Sequence, residues 1–362
     1  MTLAIPSAPP ARASGLQRIF EPARIGEMSL AGRVIVYAVL IVWAAFVLFP
    51  IYWIVMTSLK LPIDVNSGPA YIPWVDFIPN LHAWRDLLDT SAESALADTL
   101  QPYKNSIIVA FFSTILCMLI GSMAAYALAR IQYKPKFGTI LLFVLLLLGT
   151  TVTVGIWGID WRIALTAGLA LFVLLARALG RRFKRRVGNG DILFWMISQR
   201  ILPPVVTVVP IYMMFQSVHL LDTHIALILT YTVVNLPIVV WLMHDFFSSI
   251  PIDLEESAQL DGASRMTIFY EIVIPLARAG LAATTLLVLI LAWNEYLLAL
   301  FLSTSNAQTL PILVAAMNGG EKGVLWWTMC VVIVIMIVPV VLMALLLQRF
   351  IAKGILLGAV KG

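Results

Sequence analysis

The sequence predicts an all-α, polytopic transmembrane helical bundle of about eight spans. Of the 362 residues, 61% are hydrophobic and 12% are charged, and the mean hydropathy is +0.96, whereas about a quarter of the residues in soluble domains are charged. The hydrophobic residues also occur in blocks of about 20, long enough for a helix to cross a hydrocarbon core of roughly 30 Å. These two observations exclude a water-soluble fold.

Eight hydrophobic blocks define the order of the predicted spans. They cover residues of about 34 to 58, 105 to 129, 137 to 158, 161 to 179, 192 to 216, 224 to 246, 279 to 302 and 325 to 348. We therefore divide the chain into an N-terminal tail at 1–33, a transmembrane domain at 34–349 and a C-terminal tail at 350–362. No small-residue cleavage site follows the first block, so we expect an uncleaved first helix.

The positions of the basic residues predict the orientation. An even number of spans places both termini on one side, and with that side cytoplasmic, 18 of the 24 Lys and Arg residues fall on cytoplasmic segments. Five fall on external segments, namely Lys60, Arg85, Lys104, Arg162 and Lys322. The positive-inside rule therefore predicts two cytoplasmic tails. This topology accounts for the net charge of +5, so nucleic acid is not an expected partner.

The predicted cytoplasmic segment 248–278 is too polar to span the membrane and too regularly patterned to be unstructured. Asp253 and Glu256 have the spacing of a capping box, and Glu255 and Glu256 lie where a helix dipole favours negative charge. A short helix is therefore expected to start at Leu254.

Two further signals in this segment predict a turn and a second helix. Asp261 and Gly262 should end the first helix, because glycine accepts the left-handed conformation. A second helix should resume near Ser264 and break at Pro275, before a membrane helix that starts near Arg278. The segment is thus predicted to be a helix, turn, helix element on the cytoplasmic surface.

This segment resembles the EAA loop of ABC-importer permeases. The family pattern is Glu-Ala-Ala, three residues, Gly, nine residues, Ile, one residue, Leu and Pro, and it matches Glu256, Ser257, Ala258, Gly262, Ile272, Ile274 and Pro275. Ser257 and Ile274 depart from the pattern but are close in size to the usual residues. The stretches YALAR (126–130), LPPVVTVVPIY (202–212) and WNEYLLAL (293–300) resemble the maltose-type, carbohydrate-uptake branch of that family.

The resemblance implies a type I ABC importer permease with a six-helix core in a bacterial inner membrane. The chain departs from the family at about 138–190, where it inserts a hydrophobic hairpin and the basic run RRFKRR (181–186). Membrane lipid is an expected partner, because anionic headgroups attract basic residues. The basic run could either fix the orientation of the neighbouring helices in the membrane or take part in a regulatory contact, and both alternatives remain open.

The resemblance also implies the partners. They are ABC ATPase subunits, a second permease subunit in a heterodimer, and a periplasmic or extracellular solute-binding protein. No G-x-x-x-x-G-K-[ST] phosphate loop occurs in the sequence. We therefore expect no enzyme activity and no bound cofactor in this chain, with ATP and Mg held by the partner ATPase.

By the same resemblance, the first helix of the loop docks into a cleft on the ATPase. Glu255 and Glu256 are expected to make polar contacts there, Ala258 to permit close packing and Gly262 to permit the turn. The expected coupling residues are Glu255, Glu256, Ser257, Ala258, Asp261, Gly262, Ala263 and Pro275.

Polar residues at membrane depth are candidates for the solute pathway, because their insertion is costly. They are Gln199, Arg200, Asn235, Asn294 and Glu295. Pro203 and Pro204 have no N–H, so the carbonyls of Gln199 and Arg200 lack helical donors. This predicts a kink at which these two carbonyl oxygens are free to accept hydrogen bonds. Interhelical hydrogen bonding is an open alternative, as is an approach of Arg200 to the inner headgroups.

The outer loop 303–323 has polar ends and an apolar centre. In the resembling family the corresponding loop reaches the binding protein, so Leu310, Pro311 and Met317 are candidate contacts. The external segment 59–104 is rich in proline and aromatic residues, which suits either a loop against the headgroups or a plain connector.

The other reactive residue types give no catalytic or metal site. The four histidines lack metal-ligand spacing, so no metal is expected, and His219 and His224 are expected to be solvated. Both cysteines fall inside apolar blocks, where small buried side chains are common.

Among function classes, the sequence favours a permease subunit that translocates a carbohydrate or polyol. An importer of another small polar solute, such as glycerol phosphate, is the alternative. A secondary transporter is less favoured, because it needs coupling-ion sites near the midplane and Glu295 is the sole acidic candidate. An enzyme is disfavoured, because no Ser/His/Asp set converges on one loop.

Overall fold

A computed structural model describes residues 28–88, 95–180, 182–318 and 325–359. Most of the predicted N-terminal tail, Arg181, Lys322 and the last three residues lie outside these ranges. The described residues form helices, with two isolated β-bridges and no longer strand among them. The predicted all-α class is therefore confirmed.

We number the helices α1 to α15 in chain order. Their bounds are α1 Leu30–Thr57, α2 Pro62–Asn66, α3 His82–Leu88, α4 Ala95–Arg130, α5 Phe137–Trp157, α6 Trp161–Leu179, α7 Asn189–Ser198, α8 Pro204–Ser217, α9 His224–Ser248, α10 Asp253–Leu260, α11 Arg265–Leu276, α12 Arg278–Trp293, α13 Leu297–Leu302, α14 Leu310–Ala316 and α15 Trp326–Ala359.

Six of these helices are long and apolar enough to cross a bilayer. They are α1, α4, α5, α6, α9 and α15. Two bent pairs also meet the length and composition of a span, α7 with α8 at 91° and α11 with α12 at 81°. If each pair crosses once, the total is the predicted eight.

Three predicted boundaries differ from the structure. The fifth and seventh blocks are not continuous helices, since the chain breaks between Ile201 and Pro204 and again between Trp293 and Leu297. The last helix continues to Ala359, into the predicted C-terminal tail. The stretch beyond 349 contains no proline, and its Ala and Leu residues have high helix propensity.

The chain divides into two compact units. The larger has its core between α4 and α9, which approach so closely that a Cβ on Gly121 would collide with Val239. Buried residues of α11 and α12 complete this core, among them Phe269 and Val288. Small residues at such crossings are typical of membrane helix packing.

The smaller unit contains α1, α2, α3 and the start of α15. The segment after α1 is folded rather than a plain connector, since Lys60 is 2% exposed and its Nζ lies 4.3 Å from the Trp53 ring centroid. Burial lowers the pKa of Lys60, opposed by the charges of Asp64 and Asp76. Cation–π contacts stabilise a lysine in this position.

Candidate functional site

The predicted helix, turn, helix element is present at 253–276. Helix α10 ends at Leu260 with Asp261 as its C-cap, and Gly262 follows with φ +84°, so the predicted left-handed turn is confirmed. Ser264 caps α11 by accepting the Thr267 N–H at 3.1 Å. The capping box was wrong, because Asp253 is already inside α10 and Ile252 is its N-cap.

The predicted break before a helix that starts at Arg278 is confirmed, but it lies at Ala277 rather than at Pro275. Residues Phe269–Val273 form a π-turn, and the helix passes through Pro275 to Leu276. The wider turn changes the hydrogen-bond register, which accommodates a residue without an N–H. The chain bends by 81° at Ala277, between α11 and α12.

Glu255 anchors α10 to the end of α4. Its Oε1 accepts from Arg130 Nε at 2.7 Å and its Oε2 accepts from the Tyr126 hydroxyl at 2.7 Å. The side chains of Arg130 and Glu255 are 12% and 3% exposed. Glu255 therefore does not offer its carboxylate to a partner as expected, because both oxygens bind within this chain.

Arg130 also fastens the chain that leads into the loop. Its Nη2 donates to the carbonyls of Phe247 at 3.0 Å and Ile250 at 2.9 Å. One guanidinium thus joins α4, the end of α9 and α10. Its planar, forked donors suit this task, which a lysine ammonium cannot perform in the same geometry.

The opposite face of α10 is open. Glu256, Ser257 and Asp261 are exposed, while Ala258 and Ala263 are half-buried. Leu260 is 90% exposed and Leu254 is 46% exposed, although neither lies in a membrane span. Leu254 and Leu260 are therefore exposed apolar side chains on an otherwise polar helix.

Sequence reasoning missed four residues of this site, Tyr126, Arg130, Leu254 and Leu260. The leucines had a usable signal, since they are apolar residues in an otherwise polar helix. A groove of about 360 Å³ lies between the end of α4 and the two loop helices. Tyr126 and Arg130 line this groove together with Gln259.

The predicted pathway residues partly converge. Arg200 Nη2 donates to Asn235 Oδ1 at 2.6 Å. Asn235 is buried, whereas Arg200 and Gln199 are exposed. The Gln199 carbonyl accepts from Leu202 at 3.2 Å, so the expectation that this acceptor is free was wrong.

Asn294 and Glu295 lie where α12 stops. The Asn294 amide donates back to the Ile290 carbonyl at 2.8 Å, and Glu295 Oε1 accepts the Leu298 N–H at 3.1 Å. Local hydrogen bonds of this kind satisfy the groups that a helix end leaves unpaired. The two residues therefore form the break itself, and Asn294 stays exposed beside it.

At the other end of the larger unit, Asp222 holds the chain after α13. Its carboxylate accepts backbone N–H bonds from Thr304, Ser305, Asn306 and Ala307. Burial opposes ionisation, but the bonds from these backbone amides outweigh it and hold the pKa of Asp222 below its usual range. We call residues 303–310, held in this way, the strap.

The strap is also fixed to α4, which corrects two expectations. The Asn105 amide donates to the carbonyls of Asn306 and Gln308, and His224 Nε2 lies 2.7 Å from Asn105 Oδ1, so His224 is not simply solvated. Leu310 is fully buried and unavailable to a binding protein. Pro311 and Met317 are half-buried.

We predict that Asp222→Asn loosens the strap, because a neutral amide accepts backbone N–H bonds more weakly than a carboxylate. Limited proteolysis should cut the variant within 303–307 faster than the wild type at pH 7. A group with a lowered pKa stabilises the fold above its unfolded pKa of about 4 and loses this effect as the pH falls further. The difference should therefore shrink below about pH 4. Equal cleavage at pH 7 would contradict the role.

Comparison with known proteins gives a consistent picture. Residues 173–357, which are 185 of the 362, match the family described as binding-protein-dependent transport system inner membrane component. The trehalose/maltose transport system permease protein MalG of Thermococcus litoralis is 28% identical over 333 residues, 91% of this chain and 97% of that protein. The sulfoquinovosyl glycerol transport system permease protein SmoH of Agrobacterium fabrum is 29% identical over 320 residues, 87% of this chain and 89% of that protein.

A solved structure supports the fold. It is a bacterial ABC transporter involved in the import of the acidic polysaccharide alginate, with a TM-score of 0.57, 19% identity, and coverage of 94% of this chain and 99% of that chain. This likeness confirms the predicted importer permease fold. Because the family model matches more than half of the residues of this chain, the chain belongs to the family of binding-protein-dependent transport system inner membrane components.

Proposed function

We propose that this chain is the permease subunit of an ABC importer that translocates a carbohydrate or polyol across the bacterial inner membrane. Separate ATPase subunits hydrolyse the ATP and hold its Mg. The relatives named for trehalose, maltose and sulfoquinovosyl glycerol transport support this substrate class.

The way α10 is anchored to the rest of the chain is the observation that carries the proposal. A buried charged group anchors one face of this short helix, while Glu256, Leu254 and Leu260 are exposed on it. A helix that only covered the surface would not need a buried ion pair, which is costly to desolvate. Such a helix is suited to receive a force from a docked ATPase and pass it on.

Two routes lead from α10 into the membrane helices. The first runs through Glu255 and Arg130 to α4. The second runs through Gly262 into α11 and across the bend at Ala277 into α12. Closure of the ATPases would displace α10 and thereby tilt both helices, which is how alternating access is coupled to a motor.

The remaining partners and the orientation belong to the same proposal. Cytoplasmic N- and C-termini place α10 on the ATPase side and the strap on the side of the solute-binding protein. The contacts support this assignment, since Arg130 meets the loop at one end of α4 and Asn105 meets the strap at the other. A second permease subunit completes the pathway in a heterodimer.

Arg200 and Asn235 are proposed to line the solute pathway. An exposed guanidinium held by an amide can donate to hydroxyl groups, and it also favours an anionic solute such as glycerol phosphate. We predict that Arg200→Met lowers uptake by about tenfold, since a hydrogen bond to a charged group contributes about 1.5–3 kcal/mol. Arg162→Met, at an exposed position in the first turn of α6, is the control and should transport normally. Normal uptake by the Arg200 variant would remove it from the pathway.

Uptake in cells that lack this chain tests the proposed function. Radiolabelled sugars, polyols and glycerol phosphate are supplied singly, with and without a plasmid that carries the gene. Restored uptake of one sugar or polyol is expected, and restored uptake of glycerol phosphate alone would select the anionic alternative. If no solute depends on the chain, the substrate class is wrong. Uptake that persists with inactive partner ATPases would instead indicate a secondary transporter.

A further inference from the structure

The inserted hairpin formed by α5 and α6 packs chiefly against itself. Phe143 and Phe172 meet edge to face at 5.2 Å, and a Cβ on Gly168 would collide with the Thr150 side chain. No residue in the most apolar window of α5 is buried, and 6% of the window of α6 is buried. Both helices therefore present apolar surface to the acyl chains of the membrane.

An apolar groove of about 190 Å³ runs between the two helices. It is lined by Phe143, Leu146, Leu147, Thr150, Leu165 and Leu169, among others. Along α5, Phe143 lies about 9 Å and Thr150 about 20 Å from Phe137, at 1.5 Å per residue. The groove thus lies at the depth of lipid acyl chains when the base of the hairpin is at the headgroups.

The base of the hairpin is held by a short antiparallel pairing. Phe137 N–H donates to the Arg185 carbonyl and Val187 N–H to the Pro135 carbonyl, each at 2.9 Å. Lys136 Nζ donates to the Gly180 carbonyl at 2.6 Å. The backbone that carries the basic residues is therefore ordered and fixed to both helices.

Positive charge at this base lacks a balancing carboxylate. Lys134, Arg182, Lys184 and Arg186 are exposed, and no ion pair involves them among the described residues. Between 131 and 190 the sequence contains one acid, Asp160, which lies in the turn at the opposite end of the hairpin. The carboxylate of the next acid, Asp191, accepts the Gly188 N–H.

The pairing at the base also places like charges together. Lys136 and Arg186 are bridge partners on the two paired segments. Like charges directly opposite each other are destabilising. A negatively charged ligand beside the base would reduce this repulsion.

We propose that the base and groove of this hairpin bind one anionic phospholipid. Its phosphate lies among Lys134, Arg182, Lys184 and Arg186, and an acyl chain follows the groove between α5 and α6. Charge complementarity selects the headgroup, and the groove at membrane depth selects a ligand with an acyl chain over free phosphate or an acidic protein. The proposal requires insertion in a bilayer and is independent of the solute transported.

Lipid retention tests the site. The full importer complex is reconstituted in vesicles of equal parts phosphatidylglycerol and phosphatidylcholine, extracted with detergent, and its retained lipids are quantified by mass spectrometry. Wild type should retain more phosphatidylglycerol than phosphatidylcholine. Each basic residue near anionic lipid contributes about fivefold in affinity. The variant Lys184→Ala with Arg186→Ala should therefore lose at least fivefold of this preference.

The control variant, Lys104→Ala with Arg162→Ala, also removes two positive charges but does so at the far end of the same unit. It should keep the preference for phosphatidylglycerol. Wild-type preference in the Lys184 and Arg186 variant would overturn the proposal, as would an equal loss in the control, which would indicate a response to net charge alone. Lys184→Gln with Arg186→Gln replaces the alanine variant if that variant fails to insert. The uptake test is separate, so a wrong solute class leaves this result unaffected.

Discussion

Replacing Arg130 with alanine is expected to abolish transport-linked ATP hydrolysis and to destabilise the chain by about 3–5 kcal/mol. The substitution removes the 2.7 Å ion pair to Glu255 and two hydrogen bonds to the carbonyls of Phe247 and Ile250. It leaves a carboxylate that is 3% exposed without its cation. Thermal unfolding in detergent and stimulated ATPase activity of the reconstituted complex measure the two effects.

Glu256→Gln is the matched control for this prediction. Glu256 is the neighbour of Glu255 but is exposed, so its substitution should leave stability unchanged while weakening contact with the ATPase. Arg130→Met combined with Glu255→Gln should recover part of the lost stability, because it removes both charges together. An Arg130→Ala variant as stable as Glu256→Gln would show that the buried pair does not hold α10.

The second large effect is expected at Gly262. Gly262→Trp should insert normally and lose transport-linked ATP hydrolysis completely. Nothing lies within 4 Å of a Cβ built at this position, so a large side chain would point away from this chain and obstruct the approach of the ATPase. ATPase activity is measured with and without solute in the reconstituted importer.

Gly262→Ala separates strain from obstruction. At φ +84° any side chain costs about 1–2 kcal/mol, and alanine carries this strain without the bulk of tryptophan. The alanine variant should therefore be slightly less stable and remain coupled. If alanine uncouples as fully as tryptophan, the turn geometry rather than docking explains the loss, and normal coupling in the tryptophan variant would refute the docking role.

Local sequence rules predicted the turn between α10 and α11 because that turn depends on local chemistry. Gly262 was identified from its own conformational preference, and the second helix begins after Ser264 as expected. Glu255 was misassigned because its burial depends on Tyr126 and Arg130, more than a hundred residues earlier in the chain. No local pattern distinguishes Glu255 from the exposed Glu256.

At the broken helices, too, the sequence predicted the local feature but not what depends on packing with distant residues. Pro203 correctly predicted a kink after Arg200, but the 91° angle depends on how α8 packs and was not predictable. Asn294 was expected inside a span and instead ends one, because its amide bonds to the preceding turn. Leu310 was expected at a partner surface, yet its side chain is fully buried and its N–H donates to Ser106 Oγ on α4.

Helix α4 connects the strap to the helix, turn, helix element at 253–276 without interruption. Asn105 and Arg130 are about 38 Å apart along it at 1.5 Å per residue, and no proline lies between them. A continuous helix of this length is expected to tilt as one rigid body, so that a tilt of about 5° about one end displaces the other by roughly 3 Å. If the partners proposed above dock at its two ends, binding of either one should change the affinity for the other by the same factor.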